Sequence, residues 1–126
     1  MGTVRVQGQI ESDSGRSADQ TFLVDTGSFY SAVSKDLRQL VDLPRGYPAQ
    51  VRLADGRVID TEVVLAKIRI MDREGIVPVE IVEVPESLLG VSALEVLGLK
   101  VNPVTRTLEY ERPYREPPSF TRFRPS

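Results

Sequence analysis

Residues Phe22–Phe29 read FLVDTGSF. Three apolar residues run straight into a carboxylate, which is followed by a hydroxyl, a glycine and a second hydroxyl. A carboxylate buried without a partner is costly, so an apolar strand does not end on one without compensation. Either Asp25 merely opens a turn, or its charge state is the purpose of the strand that carries it. Taken alone, Asp25-Thr26-Gly27 is a weak signal; what surrounds it has to decide.

The composition narrows the chemistry. A chain of 126 residues is expected to form one domain, and 40% hydrophobic with 27% charged residues is ordinary for a globular protein. The net charge of −2 points to neither nucleic acid nor an anionic membrane as partner. There is no cysteine, hence no disulfide framework and no thiolate zinc site. There is no histidine either, which excludes the Ser-His-Asp and Cys-His mechanisms. Any hydrolytic chemistry must rest on carboxylates, lysine, tyrosine or hydroxyls. The acidic residues lack metal-ligand spacing, so neither metal nor cofactor is expected. The opening MGTVRVQG lacks a basic segment followed by an apolar run, and no apolar stretch approaches the ~20 residues of a membrane span. A cytoplasmic protein is the expectation.

The pattern along the chain is mostly β. TVRVQGQIES alternates apolar and polar residues, DSGRSAD is a turn, and QTFLVDT completes a hairpin. A further short strand is expected over Tyr30 to Val33. Ser34 then caps a short helix with Leu37, Leu40 and Val41 as its inner face, and Pro44 prevents continuation. Two strand-like runs flank Asp55-Gly56, a hairpin turn signal. A turn is expected over Asp72 to Gly75, before the strand IVPVEIVEV. Ser92 and Glu95 read as a capping box opening a second helix, with Gly98 as its stop. LKVNPVTRTLEY reads as strand, turn and return strand. Residues 1–110 therefore form the domain. Residues 111–126, ERPYREPPSFTRFRPS, are rich in proline and arginine and read as a loosely attached tail or as an arm that docks on the body or on a partner.

With FLVDTGSF, VRLADGRVI and LLGVSALEVLGLKVNP in this order, the sequence resembles the retropepsin-like aspartic proteases, in particular their small stand-alone prokaryotic members. The resemblance runs from about Val4 to Tyr110. It implies a mainly β, half-barrel acid-protease fold with one or two short helices, assembled as a two-fold homodimer. It implies Asp25 as catalytic aspartate, with Thr26, Gly27 and Ser28 supporting it. Leu53, Ala54, Asp55, Gly56 and Arg57 match the flap that covers substrate, and Leu89, Gly90 and Val91 match the segment beside the cleft. Relatives often carry Asp or Asn two residues after that glycine, where this chain has Ser92.

The chemistry of such an enzyme needs two carboxylates sharing one proton, and this chain has one Asp-Thr-Gly. A homodimer supplies the second as the partner's Asp25. The implied activity is an aspartic endopeptidase acting on an extended peptide, without nucleic acid or membrane. Gly27 is expected to bring its amide to the carboxylate, Thr26 to brace the two loops across the dimer, and the Ser28 hydroxyl to donate to the ionised carboxylate. The alternative function is a non-catalytic peptide-binding or dimerisation module on the same fold. In that case Asp25 is a turn residue and LADGR an ordinary hairpin.

Overall fold

Residues 3–53 and 55–111 are described by the computed structural model. The chain lays down β1 (Arg5–Glu11), β2 (Ser17–Val24), β3 (Ser31–Val33), α1 (Lys35–Val41), β4 (Tyr47–Arg52), β5 (Val58–Ile70), β6 (Arg73–Ile81), β7 (Ser87–Leu89), α2 (Val91–Leu97), β8 (Leu99–Asn102) and β9 (Thr107–Tyr110). The mainly β architecture with two short helices is the expected one. The first seven strands form one sheet in the order β1-β2-β7-β3-β6-β5-β4, and β1 also pairs with β5. That last pairing closes six strands into a barrel within a single chain and leaves β4 outside the ring.

The closure depends on the length of β5. Along one edge the last nine of its thirteen residues pair with β6, from Glu62↔Ile81 to Ile70↔Arg73. Along the other edge they serve two partners in succession, β4 over Val58 to Val63 and β1 over Lys67 to Ile70. The alternation of side chains fills the interior. Val64, Ala66, Ile68 and Ile70 of β5 and Val77, Val79 and Ile81 of β6 are buried, with Ile10, Phe22, Val33 and Leu89 from the other strands. Helix α2 and the β8–β9 hairpin complete this core through Ala93, Leu94, Leu97, Leu99 and Leu108. Arg73 fastens the hairpin: its Nη1 donates to Leu97 O at 2.9 Å and its guanidinium lies 4.4 Å from the Tyr110 ring centroid.

Several local expectations need correction. Ser34 does cap α1, accepting from Leu37 N at 3.2 Å. Leu37 and Val41, four residues apart, face the core, but Leu40 is 64% exposed, because in a two-turn helix it falls on the flank no strand covers. The turn between β5 and β6 is Met71-Asp72, not Asp72 to Gly75, with Met71 in the left-handed region at φ 59°. β2 ends at Val24, so Asp25 and Thr26 belong to the following loop. Helix α2 begins at Val91 with Gly90 as its N-cap and no side-chain cap bond, so the capping box read into Ser92 and Glu95 does not form. The tail, apart from Glu111, lies outside the described residues.

One carboxylate ties the first helix to the sheet. Glu62 accepts from Gly46 N at 2.7 Å and pairs with Arg38, whose Nη2 donates to Pro44 O at 3.2 Å. The Gly46 amide, followed by the Arg38 guanidinium, holds the Glu62 carboxyl below its ordinary 4.5. A folded-state value below the unfolded one stabilises the fold above the unfolded value, and the contribution is lost as the pH falls through the folded value. We therefore expect Glu62→Gln to lower the melting temperature at pH 6 and to narrow its gap to wild type below pH ~4. Thermal unfolding followed by circular dichroism at both pH values is the check; a gap that stays constant would refute this role for Glu62.

Candidate active site

The loop after β2 is held from three sides. Phe22, Leu23 and Val24 run parallel to Ser87, Leu88 and Leu89 of β7. Asp25 N continues that ladder by donating to Leu89 O at 2.9 Å. Ser28 N donates to Asp25 O at 3.2 Å, closing a tight turn. From there Ser28 and Phe29 meet the start of α2. Val91 N donates to Ser28 O at 2.8 Å and Ser92 N to Phe29 O at 3.0 Å. The first amides of a helix have no partner within it. Here carbonyls of the Asp25 loop supply what a capping side chain would otherwise give.

Two serines complete the joint. Ser92 Oγ donates to Phe29 O at 2.5 Å, and Ser31 Oγ accepts from Gly90 N at 3.0 Å. Both serines are buried. Neither role was apparent in the sequence: Ser92 was read as a cap and Ser31 as part of a strand. The available signal was a hydroxyl in each of two apolar segments, SAV and VSAL, where an unpaired one would be expensive. Gly90 is required by the closeness of the crossing, since a Cβ there would sit 2.4 Å from Tyr30 O and 2.8 Å from Phe29 O.

Within this frame Asp25 is half-buried. Its Oδ1 accepts from Gly27 N at 3.0 Å, as expected of Gly27. Its other oxygen has no hydrogen bond among the described residues. Thr26 and Gly27 are exposed, and so is Phe29 at 59%, its ring meeting Tyr30 edge-on with centroids 5.1 Å apart. The Ser28 hydroxyl departs from expectation: it donates to Tyr30 O at 2.9 Å, not to Asp25. A hydroxyl has one proton to give, so Ser28 braces the loop backbone and leaves the carboxylate alone.

The second group of candidate residues is separate. Leu53, Asp55, Gly56 and Arg57 form the tip of the β4–β5 hairpin, and Ala54 lies outside the described residues. The tip is closed by Leu53 N to Arg57 O at 2.7 Å and Gly56 N to Leu53 O at 2.9 Å, with Gly56 at φ 90°. Asp55 accepts from the Arg57 amide at 3.0 Å and from its Nε at 2.7 Å, and these hold its carboxyl below the usual range. The hairpin makes no hydrogen bond to residues 25–28 among the described residues. Thus Leu89, Gly90 and Val91 join Asp25 in one unit, whereas the hairpin tip stands apart. Among the described residues no cluster of acidic side chains could hold a metal ion.

Two substitutions test the joint. Gly90→Ala should cost about 1–3 kcal/mol by crowding backbone that cannot retreat. Ser31→Ala should cost about 1–3 kcal/mol by leaving the buried Gly90 amide without its acceptor. Urea unfolding of each measures this; losses below 0.5 kcal/mol in both would show that the joint tolerates loosening.

A family model described as "gag-polyprotein putative aspartyl protease" matches residues 8–96. A search of curated proteins returned no match. No helix is long and apolar enough to cross a membrane among the described residues. The matched span takes in the Asp25 loop, the β4–β5 hairpin and all but the last residue of α2, and the barrel is consistent with it: the chain belongs to the retropepsin-like aspartyl protease family.

Proposed function

We propose that the protein is an aspartic endopeptidase whose active form is a two-fold homodimer, with one Asp25 from each subunit. The observation that carries this reading is the setting of Asp25. It stands half-buried on a loop tied to β7 and α2, with one carboxylate oxygen unengaged among the described residues, and the sequence holds no second Asp-Thr-Gly. A second copy facing it across a two-fold axis supplies the missing carboxylate and covers the exposed Thr26, Gly27 and Phe29.

The reaction then runs through the pair. The ionised Asp25 takes a proton from a water, whose oxygen attacks the scissile carbonyl carbon. The protonated Asp25 of the other subunit gives its proton to the carbonyl oxygen, forming a tetrahedral diol. Collapse breaks the C–N bond as the newly protonated Asp25 gives its proton to the leaving nitrogen and the other Asp25 takes one from a diol hydroxyl, so one shared proton remains on the pair. The β4–β5 hairpin serves as the flap, its tip at Leu53–Arg57 closing over an extended peptide held by backbone hydrogen bonds. In the dimer, Thr26 braces the paired loops, and Leu89, Gly90 and Val91 border the cleft.

Purified protein should cleave unfolded casein at acidic pH, and pepstatin or Asp25→Asn should abolish cleavage. Asp25→Asn should keep the wild-type melting profile and mass in solution. Activity that survives Asp25→Asn would sink the mechanism. A folded dimer without activity on any unfolded protein would favour the binding-module alternative.

Assembly should also depend on pH. Two ionised carboxylates brought together take up a proton, so the pair binds protons more tightly in the dimer than in separate subunits. The pair's contribution to dimer stability is therefore greatest at low pH and is lost as the pH rises. Sedimentation equilibrium at pH 5 and pH 8 should give a tighter dimer at pH 5, and Asp25→Asn should remove most of the difference. Equal pH dependence in both proteins would exclude a shared proton.

A further inference from the structure

Leu65 marks an interruption in the barrel wall. The backbone N–H and C=O of alternate strand residues point to opposite edges. At one end of β5, the bond from Leu53 N to Arg57 O means that Arg57, and then Ile59, Thr61 and Val63, face β4. At the other end, Ser12 N donates to Arg16 O at 2.9 Å, so Ser12 and Ile10 face β2. Glu11 and Gln9 then face β5, opposite Lys67 and Arg69. Leu65 has the same parity, yet β4 stops pairing at Val63 and β1 at Lys67. On β6 its neighbour is Pro78, which has no N–H to give, in keeping with Leu65 turning its polar groups away from β6.

The interruption opens into a groove of about 530 Å³. Its wall includes Tyr47, Leu65 and Ile76, which are 77%, 57% and 55% exposed, a cluster of large apolar side chains left uncovered. Glu11, Asp13, Arg45 and Lys67 supply its charge. Lys67 is already 3.6 Å from Glu74, and Arg45 lies beside Glu62. Glu11 and Asp13 have no ion pair among the described residues. The groove thus asks for an extended backbone, an apolar side chain and a cation.

The chain itself holds such a segment. Fifteen residues, 112–126, follow Glu111, and they carry Arg112, Arg115, Arg122 and Arg124 against the single acid Glu116. Ser119–Arg124 is their longest run without proline, and it contains Phe120 and Phe123. The described chain ends within reach. Glu111 N donates to Gly98 O at 2.8 Å, and α2 packs its Val96 against Gly75, next to Ile76 of the groove wall. The seven residues 112–118 can span up to ~25 Å.

We propose that Ser119–Arg124 occupies this groove. One of its residues closes the backbone hydrogen bonds of Leu65, Phe120 or Phe123 covers Tyr47, Leu65 and Ile76, and Arg122 and Arg124 meet Glu11 and Asp13. This repairs the barrel wall away from Asp25, and it stands whether or not the protein is a protease.

Amide hydrogen exchange followed by NMR tests it in the full chain. Leu65 N–H should exchange at least about tenfold more slowly in wild type than in the full-length Phe120→Ser/Phe123→Ser variant or in a chain ending at Glu111. A synthetic peptide of residues 112–126 added to the shortened chain should restore protection and shift the resonances of Leu65 and Ile76. Equal exchange of Leu65 in all three proteins would overturn the proposal. So would a peptide that perturbs residues 25–30 in place of Leu65, or a scrambled peptide that protects Leu65 equally well.

Discussion

The structure turns on the crossing of the Asp25 loop with the start of α2. Asp25 N holds Leu89 O, and Ser28 O and Phe29 O hold the first two amides of the helix. Each partner solves the other's problem. A helix start leaves donors without acceptors, and an irregular loop leaves carbonyls without donors. Joined in this way, neither can move without breaking several buried bonds of the other. A carboxylate can therefore stand on a loop, accessible to solvent, with a position as well defined as one on a strand. Ser31 and Ser92 make the joint tighter, and Gly90 makes it geometrically possible.

The length of β5 is the second constraint. A strand of ordinary length serves one partner on each edge; the thirteen residues of β5 serve β4 and β1 in turn along the same edge. The first pairing projects a hairpin free of the barrel, and the second closes the barrel. One strand thus supplies a projecting hairpin and a wall of the barrel. The cost falls at the changeover, where Leu65 is passed by both partners.

Much of this was legible in the sequence, and the exceptions have physical causes. The β1–β2 hairpin, the Asp55-Gly56 turn and the Ser34 cap follow from local rules, because their determinants lie within a few residues of one another. The start of α2 was misread because Ser92 and Glu95 satisfy the capping pattern locally, while the real acceptors, Ser28 O and Phe29 O, come from 63 residues earlier. Ser28 was misread for a related reason: its hydroxyl has two acceptors nearby, and only the path of the loop selects Tyr30 O over Asp25. Closure of the barrel was invisible, since the β1–β5 pairing joins segments whose alternation would suit an open sheet equally well. Leu40 was assigned to the core by apolarity alone, and a seven-residue helix has too narrow a buried stripe to take it.

The placement of charge is consistent with the proposed chemistry. The carboxylates this fold uses for structure are given cations: Glu62 has Arg38, Glu86 has Arg5 and Asp55 has Arg57, and each is held below its ordinary range. Asp25 is treated differently. Among the described residues it forms no ion pair, and its one protein partner at the carboxylate is the Gly27 amide. An arginine in contact would lock the carboxylate in its charged form. A carboxylate that must exchange a proton during each turnover cannot be locked. Leaving Asp25 without a cation hands control of its protonation to whatever faces it, which in the proposed dimer is a second Asp25.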